Sequence, residues 1–381
     1  MIKIVTIIGA RPQIIKAAAL SRAIRKHFSD SITEIVVHTG QHYDDNMSQV
    51  FFDELNIPQP DYNLKVGSLS HGKQTAKMIE GIEDILVSER PDYIVLYGDT
   101  NSTLAGAIAA SKIHVPIVHI EAGLRSFNKN MPEEINRICC DHCSTMLFSP
   151  TATGYNNLVR EGFNPNNKKR FTIDNPGIYH CGDVMYDNSK YFSIIAENKS
   201  EIMKRENLIG NSFILCTIHR DSNTDNKMRL ESIITALLEL SEHETIVIPL
   251  HPRTEKSLKI NLNNELYDKF YSCDNIRIIP PASFLDMINL EKSATMIMTD
   301  SGGVQKEAYF FNKPCIIMRS ETEWKEIVET GSAVIVDADK DKITRAYQEY
   351  NENPPKHFPS IFGDGYAAEF ICNEMIINSL S

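Results

Sequence analysis

TMIMTDSGGVQKEA, Thr295–Ala308, is the stretch whose reading decides the fold. An apolar run, Thr295–Thr299, stops at Asp300-Ser301-Gly302-Gly303, and a helical pattern over Val304–Phe310 begins at once. Met296-Ile297-Met298 between two threonines, bounded by a turn, predicts a buried strand. Two adjacent glycines let the backbone approach a ligand closely, and amides at a helix N-terminus can cradle a diphosphate. Glu307, on the second turn, is unsuited to phosphate but suited to accepting hydrogen bonds from ribose hydroxyls. The plain alternative is a glycine-rich connector.

The same strand–turn–helix grammar recurs in both directions. Ile2–Ile8, Glu34–His38, Tyr93–Tyr97, Ile117–Ile120 and Met146–Ser149 read as strands in the first half. Phe213–Ile218, Thr245–Leu250, Ile276–Ile279, Pro314–Met318 and Ala333–Val336 do so in the second. Most are continuous apolar runs, as expected of parallel strands buried on both faces. Helical patterns over Gln13–His27, Thr100–Lys112, Arg229–Leu240 and Phe284–Lys292 alternate with them. The fold class is therefore α/β: two Rossmann-like domains whose parallel sheets are expected to face a central cleft. The Asn-, Lys- and Pro-rich Asn164–Gly177 reads as the linker, before a strand at Ile178–Cys181. This sets an N-terminal domain at 1–170, a C-terminal domain at 178–355, and a final helix within 360–381 returning to the first, after a crossing at Asn351–Pro359.

Composition narrows the functional classes. With 381 residues, two cores are needed rather than one. A formal charge of −11 removes any general attraction for nucleic acid or an anionic membrane. No apolar run approaches the roughly 18 residues of a membrane span. MIKIVTIIGARP lacks the basic region and cleavage site of a signal peptide and reads as a first strand, so the cytoplasm is the expected compartment. The eight cysteines are expected to be reduced. Cys139, Cys140, His142 and Cys143 hold half the spacing of a zinc knuckle, but no second pair follows, so no metal is expected.

Ligands of open α/β sheets sit beyond the carboxyl ends of strands, so the residues there are the candidates. Gly9-Ala10-Arg11-Pro12 follows the first strand: a tight turn, a helix start, and a guanidinium at a helix N-terminus, with Lys16 one turn on. An ordinary helix start with solvated cations is the alternative. Asp99 and Glu121 end two further strands, and Glu133, with Arg137 behind it, opens the helix after Pro132. Each acid alone would be a cap or a dipole partner; three in one cleft suit acid–base chemistry. His219 and His251 end two strands of the second half.

Taken together, GARPQIIKAA (Gly9–Ala18), TGQHYD (Thr39–Asp44), YGDTNSTLAGA (Tyr97–Ala107), HIEAGLRS (His119–Ser126), MPEEINR (Met131–Arg137), CGDVMYD (Cys181–Asp187), TIHR (Thr217–Arg220), LHPRT (Leu250–Thr254) and TDSGGVQKEA (Thr299–Ala308) resemble the non-hydrolysing UDP-N-acetylglucosamine 2-epimerases. They run in order over most of the chain. The resemblance implies a GT-B-like fold, a homodimer, a UDP-sugar substrate, and no metal or nicotinamide. It implies catalytic roles for Arg11, Asp99, Glu121, Glu133 and His219. It implies UDP contacts for Lys16, Ser301, Gly302, Gly303 and Glu307, with Arg137 and His251 read as substrate-binding beside them. The destination it implies is a surface-polysaccharide precursor.

The chain departs from that pattern at several positions. Gln13 stands where a carboxylate is usual, Trp324 where an arginine is usual, Asp221 where allosterically activated members have a second arginine, and Lys73 where they have another. Gln41, His42, Gln74 and His251 are kept. Gln13, Glu323 and Trp324 look more like the branch acting on UDP-2,3-diacetamido-2,3-dideoxyglucuronate, where Trp324 would offer its face to an acetamido group or simply pack at a helix start. A GT-B glycosyltransferase would share the diphosphate turn but has less use for three acidic ends. A non-catalytic UDP-sugar sensor need not keep them.

Overall fold

The computed structural model describes residues 1–40 and 59–380. The chain divides into two compact units, Met1–Asn188 with Ser360–Ser381, and Ser189–Pro359.

The first unit carries a seven-stranded sheet of order β3-β2-β1-β4-β5-β6-β7. Its strands are β1 (Ile2–Ile8), β2 (Ile32–His38), β3 (Tyr62–Asn63), β4 (Tyr93–Tyr97), β5 (Ile117–Ile120), β6 (Met146–Ser149) and β7 (Gly177–His180), all paired in parallel. The order reverses between β1 and β4, which makes the carboxyl ends of these strands the natural ligand crevice. The Asn101–Lys112 helix packs there because its inner face is small: Ala105, Ala107, Ala109 and Ala110 are all 0 % exposed. A Cβ on Gly106 would lie 2.5 Å from Leu96 Cδ2, so a larger residue would force the buried Leu96 side chain or the helix to shift. Val5, Ile7, Ile94 and Leu96 from the sheet close this core with Met78 and Ile82 of the His71–Glu89 helix.

The second unit has six parallel strands of order β10-β9-β8-β11-β12-β13. They are β8 (Ile214–Thr217), β9 (Ile246–Pro249), β10 (Ile276–Ile279), β11 (Met296–Thr299), β12 (Cys315–Ile317) and β13 (Ala333–Ile335). Here the order reverses between β8 and β11, and the Thr217 and Thr299 hydroxyls tie the two strand ends at 2.6 Å. One side of the core is built by Leu230, Ile233, Ile234 and Leu237 of the Lys227–Leu240 helix against Cys216, Ile248 and Met298.

Some boundaries differ from the sequence reading. The strand expected to open the second domain, Ile178–Cys181, is β7 and closes the first sheet against β6. The Asn164–Gly177 segment is therefore a loop within the first unit, and the division falls inside the Val184–Lys199 helix. The first helix runs Arg11–Ala23 and continues as a π-helical turn, Ile24–Phe28. The helix after β11 starts at Gly302, two residues before the expected Val304, so both glycines supply first-turn amides.

Candidate active site

In the first unit, β1, β4 and β5 deliver three turns side by side. Gly9 follows β1, and a Cβ there would lie 2.1 Å from Ser102 Oγ and 2.2 Å from Thr39 Oγ1, so the turn excludes any side chain. Gln13 fixes this turn from inside. Its Oε1 accepts from Gly9 N (3.0 Å) and Ala10 N (3.2 Å), and its Nε2 donates to Tyr97 O and Thr103 Oγ1, both at 3.0 Å. A carboxylate could not donate to the Tyr97 carbonyl. Gln13 is 1 % exposed and is occupied by the scaffold. Arg11, the first residue of the helix, is exposed.

Beyond β5, Glu121 adopts φ +72°, a left-handed conformation that costs a non-glycine residue about 1 kcal/mol or more. Its N–H and that of Ala122 both donate to Phe148 O at 3.0 Å, which holds it there. Its carboxylate is ion-paired with Lys16 Nζ, and both side chains are largely buried. Beyond β4, Asp99 Oδ2 accepts from Arg137 Nη2 at 2.5 Å, and Arg137 Nη1 reaches Glu134 Oε2 at 3.1 Å. Asn136 Nδ2 donates to Asp99 O at 2.8 Å, and Gln74 Oε1 accepts from Asn101 Nδ2 at 2.9 Å. The helix of Pro132–Cys143 thus splits its two leading acids. Glu133 is exposed, whereas Glu134 is 1 % exposed and accepts from Ser126 N and Phe127 N, both at 2.9 Å. Burial works against the Glu134 charge, but these amides and Arg137 outweigh it and hold the carboxyl below its usual range.

A charged network lies beneath these turns. His119 on β5 is fully buried, with Nδ1 2.7 Å from Asp141 Oδ1 and Nε2 2.8 Å from Gly98 O. Both ring nitrogens face acceptors, so the imidazolium satisfies both. Burial opposes the charge, but Cys140 and Asp141 outweigh it and the ring titrates well above the usual histidine range. Asp141 Oδ2 in turn accepts from Gly123 N (3.1 Å) and Arg125 Nη2 (2.7 Å), and Arg125 makes a two-pronged pair with Glu161 at 2.7 Å. Sequence reading missed this network: His119 and Asp141 are 22 residues apart, Arg125 and Glu161 are 36 apart, and they bond only through the fold.

In the second unit, Asp300 is fully buried and accepts from His219 N (2.9 Å), Arg220 N (3.0 Å) and Asn223 Nδ2 (3.0 Å), tying the β8 and β11 ends together. His219, Arg220, Asp221, Ser222 and Ser301 line a concavity of about 380 Å³. A concavity of about 450 Å³ beside Arg229 and Asp339 contains none of the candidate residues. Desolvation lowers the His219 imidazole; Asp300 opposes this and His251 adds to it, so the ring is held below its ordinary range although one edge is exposed. His251 caps the Pro252–Asn261 helix, accepting from Arg253 N at 3.3 Å. Asp221 is ion-paired with Arg253, a partner the sequence did not indicate.

Trp324 does not present a free face. It is 6 % exposed, its Nε1 donates to Gly302 O at 3.0 Å, and Lys306 Nζ lies 4.2 Å from the ring centroid. It packs at the start of the Lys325–Glu329 helix and pins the glycine turn. Beside that turn stands Arg319, paired to Glu323 at 2.9 and 3.0 Å, with Nη1 3.8 Å from where a Gly302 Cβ would lie. Arg319 lies two residues past β12 and was not singled out in the sequence. Gln41 and His42 lie outside the described residues. Among the described residues no group of three or more His, Cys, Asp or Glu is arranged to hold a metal, and all eight cysteines are free thiols.

Two parallel α/β sheets with acids, cations and a glycine turn at their carboxyl ends are the framework of a nucleotide-sugar enzyme. Residues 23–376 match the UDP-N-acetylglucosamine 2-epimerase family, and the chain belongs to that family. It is 49 % identical over 350 residues to a UDP-N-acetylglucosamine 2-epimerase homolog of Methanococcus maripaludis, covering 92 % of each chain. It is 45 % identical over 371 residues to the UDP-2,3-diacetamido-2,3-dideoxy-D-glucuronate 2-epimerase of Pseudomonas aeruginosa, covering 97 % of this chain and 98 % of that one. Its fold is similar to that of the Methanocaldococcus jannaschii UDP-GlcNAc 2-epimerase crystallised with UDP-GlcNAc and UDP: TM-score 0.82, 41 % identity, 98 % of this chain and 99 % of that one.

Proposed function

We propose that this protein inverts C2 of UDP-N-acetylglucosamine, gluco to manno, by eliminating and re-adding UDP. The ion-paired Glu121, held in a left-handed turn beside the Asp99 turn, is the observation that carries the reading.

The C2 proton of a pyranosyl nucleotide is not acidic, because no carbonyl adjoins it. Departure of UDP with the C1–O electron pair builds positive charge at C1 and acidifies that proton. A carboxylate takes it, the C2–H pair becomes the C1=C2 bond, and 2-acetamidoglucal and UDP result. A proton delivered to the opposite face of C2, with return of UDP oxygen to C1, gives the epimer. Glu121, as an ion-paired carboxylate, has the form a base needs, and Asp99 and Glu133 are the further carboxyls for the opposite face. Lys16 and Arg137 compensate the charge of Glu121 and Asp99. Arg11, His219 and the Ser301–Gly303 amides stabilise the leaving diphosphate, His251 borders His219, and Glu307 accepts from ribose. The proposed route needs no hydride transfer.

The same reaction on UDP-2,3-diacetamido-2,3-dideoxyglucuronate is the second reading, favoured by the 45 % relationship to the Pseudomonas enzyme. Gln13 and Trp324 lend it little support, since their polar atoms bond to the scaffold. Free thiols fit the reducing cytoplasm, and a homodimer is the expected assembly, testable by sedimentation. Incubation with each sugar nucleotide, followed by NMR of the anomeric region, tests the function. A manno product from UDP-N-acetylglucosamine is expected. A product from the diacetamido-uronate alone moves the assignment to the second reading, and none from either returns a glycosyltransferase or a sensor.

A further inference from the structure

Glu291, in the last turn of the Phe284–Ser293 helix, is 0 % exposed, and among the described residues no N–H or hydroxyl donates to either of its carboxyl oxygens. This helix packs on the Gly302–Phe310 helix, and the group Glu291 faces is the carboxyl of Glu307. Leu290 and Ala294, its neighbours in sequence, are also fully buried, as is Ala308 beside Glu307. Two carboxylates facing each other in an apolar setting cannot both be ionised. Burial and Glu307 push the Glu291 carboxyl well above the usual carboxylate range. A protonated carboxyl has one O–H to donate, and the acceptor before it is Glu307.

We propose that Glu291 is a positioning residue of the nucleotide site: as a neutral acid it donates a hydrogen bond to the Glu307 carboxylate and fixes the rotamer in which Glu307 accepts the ribose hydroxyls. The inference rests on the ribose role of Glu307 given above. A carboxylate has about four lone-pair sites, so accepting this one proton is compatible with accepting from 2′-OH and 3′-OH. A long, half-buried glutamate without this anchor would lose rotamer freedom on binding, and that loss would weaken ribose recognition. An apolar residue at 291 would fill the space but remove the donor; glutamine would retain a donor and remove the titration.

The test compares UDP with 2′,3′-dideoxyuridine diphosphate by calorimetry on the full chain and its Glu291→Gln and Glu291→Leu variants. The wild type is expected to prefer UDP by about tenfold or more, the worth of a charge-assisted hydrogen bond. Glu291→Gln keeps that preference. Glu291→Leu reduces it to less than about threefold while dideoxy-UDP binding stays within about twofold of wild type. This last value also reports that the variant is folded. A full preference in Glu291→Leu, or equal loss for both ligands, overturns the proposal, the latter by showing a merely structural role. Equal binding of the two ligands by the wild type removes the ribose role of Glu307 and this inference with it. The epimerase reading stands or falls separately, on formation of the manno product.

Discussion

The two strand-end constellations solve different problems with different materials. In the first unit, charged side chains dominate: Lys16 on Glu121, Arg137 on Asp99, and beneath them the buried His119–Asp141–Arg125–Glu161 chain. In the second, the glycine turn offers backbone amides, His219 is held toward neutrality, and Glu291 is a neutral acid. Proton transfer needs titratable groups, and these need opposite charges and a rigid frame to hold their state. A diphosphate brings its own charge and needs donors, which main-chain amides supply without a desolvated cation.

The comparison breaks first at Glu121. Glu121→Gln is expected to lower turnover by about two to four orders of magnitude while UDP affinity, proposed to come mainly from the second unit, stays within about twofold. Unchanged turnover would remove the first unit from the proton chemistry. Next comes the frame. Asp141→Asn strips the charge from a buried centre that His119 and Arg125 share, and should cost about 3 kcal/mol in urea unfolding. A loss below about 1 kcal/mol would show that the network is ornamental to folding.

The pH dependence sharpens the contrast further. His119 has a raised pKa in the fold, so its stabilisation is complete below 6.5 and fades as pH climbs through the folded value. Asp141 has a lowered one, so its contribution is present above 3.8 and lost as pH falls through the folded value. Together they favour the first unit in the window between. Glu291 acts differently: above 4.5 the unfolded chain releases this proton and the folded chain retains it, so stability falls with rising pH. Glu291→Leu should therefore gain relative stability over wild type from pH 5 to pH 8 in denaturant titrations; a constant difference would mean Glu291 is ionised in the fold.

The smallest effect is expected at Trp324. Trp324→Phe keeps most of the ring but loses the bond to Gly302 O, at about 1 kcal/mol or about fivefold in UDP affinity. A change in preference between the two sugar nucleotides instead would restore Trp324 as a sugar contact.

How far the sequence could be read follows from how local each signal was. Gly9, Gly98, Asp99, Glu121 and the Ser301–Gly303 turn were legible because each directly follows an apolar run. β7 was misassigned since four residues, Gly177–His180, carry too little pattern to say which sheet they join. Gln13 and Trp324 looked like marks of substrate choice because sequence shows a residue type and not its bonds. The ion pair of the Lys16 ammonium with Glu121 was not legible either, the two residues being far apart in the chain. His119–Asp141 and Glu291–Glu307 were invisible, being contacts between helices and strands distant in the chain.

On the proposed route two different groups handle the proton on the two faces of C2, so the proton returned is not the one removed. The direct measurement is epimerisation of UDP-N-acetylglucosamine in deuterated water, with C2 followed by NMR. Deuterium is expected at C2 of the manno product from its first appearance. A manno product that retains its original C2 proton would contradict it.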